Sequence, residues 1–103
     1  MDKQEQQLRS SDKAPFTRIF KYELLTYPTQ YTLPVGATFL TVQSQNDIPH
    51  MWFELDPAAP TEQRTFVALA TGEPIYMPAS QRKYLGTFQL ENGTYVFHLF
   101  EIL

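Results

Sequence analysis

The residues around Thr71-Gly72 and Arg82-Lys83 could together bind an anion or a nucleotide. Backbone N–H groups exposed beside Gly72 could donate hydrogen bonds to phosphate oxygens, and basic side chains nearby could neutralise the charge. Aromatic side chains could stack on a base, because every base presents a flat face. The plainer interpretation is that Gly72 permits a turn and that the basic residues solvate strand ends.

The segment Gly72–Ser80 carries three large apolar residues, Ile75, Tyr76 and Met77. An exposed apolar loop on a rigid sheet suits partner binding or self-association. A loop packed over the mouth of a barrel would have the same sequence. The candidate ligand-binding or partner-binding residues are therefore Trp52, Arg64, Thr71, Gly72, Ile75, Tyr76, Arg82, Lys83 and Tyr84.

No arrangement of residues in the sequence is typical of catalysis or metal binding. His50 and His98 are the only histidines, and they lie on different predicted strands without a neighbouring cluster of carboxylates. We expect His98 to be a packed core residue with a hydrogen-bonded ring. Glu54 and Asp56 share a face of one strand, but a solvent-facing residue and an Asx turn before a proline explain them better. The sequence thus predicts a protein that is not an enzyme and uses no metal or cofactor.

The elements that position these residues are strands. Asn92-Gly93 predicts a type I′ turn that closes a hairpin over Lys83–Leu103. This register pairs Leu90 with Tyr95, Phe88 with Phe97, and Thr87 with His98. The last strand is apolar at almost every position, which predicts a central strand covered on both faces.

The remainder of the chain reads as short strands separated by turns. The predicted strands are Thr17–Leu25, Gln30–Leu33, Ala37–Gln45, Met51–Leu55 and Gln63–Thr71, with core candidates Ile19, Tyr22, Leu24, Leu40, Val42, Met51, Phe53 and Leu55. Residues 1–15 form a predicted flexible polar tail, and residues 16–103 a single β domain. We predict a mainly antiparallel all-β fold, a small meander barrel or sandwich of about six strands.

Composition excludes several classes of protein. The 103 residues contain no cysteine, which removes disulfides and thiolate metal sites. The net charge of −3 and the scattered basic residues argue against duplex nucleic acid as a partner. No apolar run is long enough for a membrane span, and the polar first residues lack the hydrophobic segment of a signal peptide. These features predict a soluble cytoplasmic protein.

A series of short motifs runs through the chain from Ile19 onwards. The motifs include Phe20-Lys21-Tyr22, Leu33-Pro34-Val35-Gly36-Ala37, Trp52 followed by Asp56-Pro57, Arg64 with Phe66, Thr71-Gly72, Tyr84-Leu85-Gly86-Thr87 and Val96-Phe97-His98-Leu99-Phe100-Glu101. In this order they resemble a family of short, mostly uncharacterised proteins, a domain of unknown function, encoded by bacteriophages and prophages. The resemblance covers nearly all of the chain except the tail. It implies a phage gene product in the cytoplasm of a host and brings no established activity.

Two functions follow as expectations. The first is a non-enzymatic counter-defence protein that binds a host protein or sequesters a small nucleotide signal. The second is a structural or assembly component of the virion. We also predict a homo-oligomer, because the edges of a small sheet need protection. Pro28, Pro34, Pro49, Lys21 and Glu23 could blunt some edges, and pairing with another copy is the alternative.

Overall fold

The computed structural model of the protein describes residues 16–103, and the predicted tail of residues 1–15 lies outside them. Within the described range the chain forms seven strands and a short 3-10 helix, Ala79–Gln81. The strands are β1 (Arg18–Glu23), β2 (Thr29–Pro34), β3 (Thr38–Gln45), β4 (Ile48–Leu55), β5 (Thr61–Ala70), β6 (Arg82–Leu90) and β7 (Tyr95–Ile102). The prediction of an all-β, antiparallel fold is confirmed.

The strands form two sheets, a three-stranded sheet in the order β1-β4-β3 and a four-stranded sheet in the order β2-β5-β7-β6. The two sheets share one core. Of the two predicted architectures, a barrel and a sandwich, the structure is therefore a sandwich. Only β3–β4 and β6–β7 are hairpins, and the chain changes sheet after β1, β2 and β4. This connectivity differs from a meander, in which each strand would pair with the next one along the chain.

The two hairpins follow their turn residues. Asn46 and Asp47 both have positive φ and join Gln45 to Ile48 in a two-residue turn. In the second hairpin the predicted register is confirmed at all three pairs across β6 and β7. Its loop is longer than the predicted two residues, since Glu91 also has positive φ and the ladder stops at Leu90. The Thr94 N–H still donates to the Glu91 carbonyl oxygen at 3.1 Å, as a turn centred on Asn92-Gly93 requires.

Aromatic rings dominate the centre of the sandwich. Phe53 on β4 and Phe66 on β5 are fully buried and meet edge to face across the two sheets, with ring centroids 5.8 Å apart. Tyr22 packs on Phe53 at 5.8 Å, and Tyr31 packs on Phe66 at 5.7 Å. The fully buried side chains are Phe53, Phe66, Leu24, Leu33, Met51, Leu55 and Leu99. The contact between Phe53 and Phe66 joins the two sheets, and Tyr22 and Tyr31 each pack on the ring of their own sheet.

Two predicted core residues are wrong. Ile19 is 63% exposed. Side chains alternate along a strand, and Ile19 lies three positions before Tyr22, so the two residues point to opposite faces. The Tyr22 ring packs on the core, and Ile19 therefore points to solvent. Leu40 is 44% exposed because the register of β3 against β4 shifts between Phe39 and Thr41. A bulge of this kind reverses the facing of the residues around it.

β7 was predicted to be a central strand that is covered on both faces. Its central position is confirmed, but only one of its faces is fully covered. The strand lies between β5 and β6 at the centre of its sheet. Leu99 is fully buried against the other sheet, but His98 and Phe100 on the opposite face are only half-buried. Among residues 16–103, no helix has the length and apolar character needed to cross a membrane.

Candidate functional site

The candidate site lies on the face of the four-stranded sheet that is turned away from the core, which we call the outer face. Side chains alternate along a strand. Ala68 and Leu99 belong to the core, so Leu69 on β5 and His98 and Phe100 on β7 point to the outer face. This face combines a row of polar groups with an apolar groove.

The polar row is a chain of hydrogen bonds centred on the imidazole of His98, which we call the hydroxyl–imidazole chain. Nε2 of the ring lies 2.7 Å from Thr71 Oγ1, and Nδ1 lies 3.0 Å from Thr87 Oγ1. The Tyr84 hydroxyl continues the chain at 2.6 Å from Thr87 Oγ1. Both ring nitrogens therefore have partners, and each threonine hydroxyl can donate or accept as the tautomer requires.

The prediction for His98 is thus half confirmed. Its ring is hydrogen-bonded, as expected. Its placement in the core was wrong, because the neighbouring Leu99 takes the inward position on β7. No carboxylate in the described part of the chain hydrogen-bonds to the ring.

Replacing His98 with alanine is expected to lower the free energy of unfolding by about 1 kcal/mol. The ring is half-exposed, so the loss of two hydrogen bonds is partly compensated by water. Urea unfolding monitored by the single tryptophan would measure the change. Any binding activity should persist in the folded fraction, and selective loss of binding at unchanged stability would show that His98 contacts the ligand.

An aromatic and cationic group extends the row toward the start of β6. The guanidinium of Arg82 lies over the Phe100 ring at 5.5 Å, and the Tyr84 ring meets the same ring at 5.6 Å. Arg82 Nε is buried and has no hydrogen-bond partner among residues 16–103. Tyr84 is 57% exposed, so part of this group is open to a ligand.

The apolar groove lies between the segment after β5 and the connection of β1 to β2. It has a volume of about 610 Å³, and its walls include Glu73–Met77, Thr26–Pro28, Val67 and Leu69. Val67 is buried at 4% exposure although it is outside the core cluster, whereas Tyr76 is 91% exposed. The loop therefore folds along the sheet and still leaves apolar surface open.

Local hydrogen bonds hold the beginning of this loop. Gly72 has φ +91°, a value that favours glycine, and forms the turn after Thr71. The Glu73 N–H donates to the Ala70 carbonyl at 3.0 Å, and Glu73 Oε1 accepts from the Ala70 N–H at 2.9 Å. The turn places Ile75 and Tyr76 at the groove.

The structure brings together some of the predicted site residues. Thr71, Arg82 and Tyr84 share the outer face, and Ile75 and Tyr76 line the groove beside it. Two further residues lie close by in sequence: Gly72 in the turn and Lys83, which is exposed on β6 and pairs in register with Glu101.

Arg64 lies elsewhere, inside the sandwich. Its Nε and Nη2 donate to Glu101 Oε2 and Oε1 at 2.7 and 2.9 Å, and Nη1 donates to the Ala37 carbonyl at 2.7 Å. Its guanidinium also lies 5.6 Å from the Phe53 ring and 5.7 Å from the Phe66 ring. The hydrogen bonds to Glu101 raise the pKa of Arg64 above its ordinary value. Arg64 therefore makes structural contacts inside the sandwich, apart from the predicted site residues on the outer face.

Trp52 is also separate from the outer face. It points away from the core on the three-stranded sheet, where it forms a shallow depression with Ile19 and Leu40. Met51 and Phe53 on either side of it are fully buried, and alternation sends the indole outward. The predicted grouping of Trp52 with Gly72 is not observed.

Sequence reasoning did not select Thr87, Phe100 or Tyr27 as site residues. The hairpin register paired Thr87 with His98 and contained the signal for that contact. No comparable signal existed for Tyr27, which reaches the groove through the pairing of distant strands. Across residues 16–103, no cluster of three or more His, Asp or Glu side chains could hold a metal ion.

Comparison with known proteins places the chain in one family. Residues 16–102 match the model of a domain of unknown function, DUF7352. No curated protein matches the chain, and no solved structure does. Since the match spans nearly the whole described sandwich, including both the groove and the hydroxyl–imidazole chain, this protein is a member of the DUF7352 family.

Proposed function

We propose that this protein is a non-enzymatic binding protein that receives an apolar segment of a protein partner in the groove of its outer face. The groove itself carries this proposal. It offers about 610 Å³ beside the exposed ring of Tyr76, and a contiguous apolar surface on a small domain is a common sign of a binding site. Ile75, at 42% exposure, stands on its wall.

The charges of the site favour a protein over a nucleotide as the first candidate. Binding a nucleotide needs cations that are free to neutralise phosphate. Arg64 is already paired with Glu101, and Trp52 faces away on the other sheet. Arg82 and the exposed Lys83 remain as cations on β6. The walls of the groove itself carry the acidic Glu73 and are otherwise largely apolar, which suits leucine, isoleucine or aromatic side chains.

Sequestration of a small nucleotide signal is the second candidate. The group formed by Arg82, Phe100 and Tyr84 supports it, because it combines a cation with exposed aromatic surface next to the hydroxyl–imidazole chain. Isothermal titration with cyclic and ADP-ribose-type nucleotides tests this candidate. Binding that is lost in Tyr84→Ala and kept in Ile75→Asp would favour it over the protein partner.

The cellular role that we propose is counter-defence by a phage protein in the cytoplasm of its host. This part of the proposal rests on the resemblance of the motifs to phage and prophage proteins. The alternative is a structural or assembly component of the virion, for which the second exposed apolar group, Ile19, Leu40 and Trp52, would supply a further contact. Mass spectrometry of purified virions distinguishes the two, since stoichiometric presence would favour the alternative.

Replacing Ile75 with aspartate is expected to reduce capture of the host partner at least tenfold, because a carboxylate on the groove wall must lose water when an apolar segment binds. Quantitative pull-down from host lysate with tagged protein measures the effect. Ile48→Asp is the matched control, since Ile48 has a similar exposure of 45% against 42% and lies outside the groove. Equal capture by the two variants would contradict the groove as the binding site.

A further inference from the structure

Within residues 16–103, strand β1 has one edge without a paired strand, and it carries exposed side chains on both faces. It pairs with β4 along its full length, and the sheet ends there. Ile19 is 63% exposed on one face, and Phe20 is 42% exposed on the other. An open edge with apolar side chains on both faces is a template for pairing with another strand.

The hydrogen bonds at the end of β1 identify which backbone groups face this open edge. The Leu24 N–H donates to the Pro49 carbonyl, toward β4. The Tyr31 hydroxyl on the other side accepts from the Leu25 N–H and donates to the Glu23 carbonyl, each at 3.0 Å. Since successive residues of a strand alternate in direction, the N–H and C=O groups of Ile19 and Lys21 also point to the open edge.

The Tyr31 hydroxyl therefore closes the edge at Glu23 and leaves the residues before it open. A tyrosine hydroxyl is protonated at neutral pH and can donate, and burial raises the pKa of Tyr31 further above its ordinary value. Because β1 begins at Arg18, the free part of the edge is residues 18–22, which we call the open segment. Its midpoint is Phe20.

The open segment lacks two of the usual protections of an edge: it contains no proline, and its register against β4 has no bulge. Two cationic side chains, Arg18 and Lys21, could repel a neighbour. The Arg18 guanidinium lies over the Phe16 ring at 4.9 Å, and the Lys21 ammonium donates to Gln45 Oε1 on β3 at 2.6 Å. Because β4 lies between β1 and β3, this side chain reaches across the sheet and away from the open edge.

We propose that the open segment pairs with the same segment of a second copy, antiparallel and centred on Phe20. In this register Phe20 faces Phe20 of the other copy, and Arg18 faces Tyr22 of the other copy. The outward backbone groups of Ile19 meet those of Lys21 in the other copy as hydrogen-bonded pairs. The pairing joins the two three-stranded sheets into one six-stranded sheet.

The extent of the free edge selects this register over its two neighbours. If a two-fold axis relates the two copies, opposed side chains lie on the same face only when the axis passes through a residue, so the neighbouring registers are centred on Ile19 and on Lys21. Centring on Ile19 would place Lys21 opposite Thr17, which lies before β1. Centring on Lys21 would place Ile19 opposite Glu23, whose carbonyl already accepts a hydrogen bond from Tyr31. Centring on Phe20 pairs residues 18–22 only with one another and places no like charges opposite each other.

Single cysteines test the register directly, because the chain has no cysteine of its own. Phe20→Cys should form an intermolecular disulfide under mild oxidation, since directly opposed residues come close enough for the bond. Ile19→Cys is the matched control: it is more exposed, but it faces Lys21 of the other copy and should crosslink at least tenfold more slowly. A mixture of Ile19→Cys and Lys21→Cys chains should crosslink to each other. Rapid self-crosslinking of Lys21→Cys would overturn the register.

The oligomeric state tests the dimer itself. A pair of short edge strands buries little area, so we expect a weak dimer whose mass rises from 12.0 kDa toward twice that value between about 5 and about 500 µM. Lys21→Pro should abolish the dimer and preserve β1–β4 pairing, because its lost N–H points to the open edge. Lys21→Ala should remain dimeric.

Sedimentation velocity measures these masses, and circular dichroism checks that each variant keeps its fold. A wild-type protein that stays monomeric over the whole range, with no crosslinking of Phe20→Cys, would overturn the proposal. A dimer that persists in folded Lys21→Pro would place the interface elsewhere. Ile75→Asp should dimerise normally, so failure of the groove and failure of this interface can be told apart.

Discussion

Replacing Glu101 with alanine is expected to lower the free energy of unfolding by about 3 kcal/mol. The change leaves the Arg64 guanidinium without its counter-ion beside the rings of Phe53 and Phe66, and breaking one side of an enclosed ion pair costs several kcal/mol. The side chains are only 18% and 13% exposed, so water can compensate little. Urea unfolding followed by Trp52 fluorescence would measure the loss.

The double variant Arg64→Met/Glu101→Leu separates the cost of an unpaired charge from the value of the pair. We expect it to recover most of the lost stability, since apolar side chains can replace an enclosed ion pair at little net cost. A loss below about 1 kcal/mol in Glu101→Ala would instead be typical of a surface pair. If the folded double variant lost partner binding, Arg64 would belong to the binding site after all.

Replacing Phe53 with alanine is expected to lower the free energy of unfolding by about 3–5 kcal/mol, the usual cost of removing a large side chain from a rigid core. Phe53 is fully buried and meets the rings of Tyr22, Phe39 and Phe66 at 5.8, 5.7 and 5.8 Å. The contact with Phe66 crosses between the two sheets, so the cavity would lie at their junction. Thermal and urea unfolding would both report the change.

Phe39→Ala is the control for the loss of an aromatic ring as such. Phe39 is half-buried, and its ring contact is to Phe53. We expect a loss clearly smaller than that of Phe53→Ala. Similar losses in the two variants would contradict the central position of Phe53 and would indicate that any ring removed from this layer is equally costly.

These variants also bear on function, because they affect the interior and leave the outer face unchanged. The groove at Ile75 and the hydroxyl–imidazole chain at His98 are built on β5, β6 and β7. A variant that is destabilised but still folded should therefore bind as the wild type does. Binding assays on Ile75→Asp and Tyr84→Ala then report on the outer face without interference from the core.

Local patterns in the sequence were sufficient for the secondary structure. Asn46-Asp47 and Asn92-Gly93 specify turns through their tolerance of positive φ, and the second pair also set the register of the final hairpin. The pairing of Thr87 with His98 followed from counting outward from that turn. Alternation identified Met51, Phe53 and Leu55 as core residues in the same way.

The sequence by itself thus determined the all-β class, the hairpins and the inward residues of β4, since these depend on the preferences of neighbouring residues. Tertiary structure alone decided which strands meet. The pairing of β5 with β7 brings Thr71 next to His98. It also brings Arg64 next to Glu101, and their ion pair holds the Arg64 side chain inside the sandwich. These contacts join residues 27 and 37 positions apart. No local periodicity encodes such pairs, because they form only once β5 and β7, which are distant in sequence, have paired.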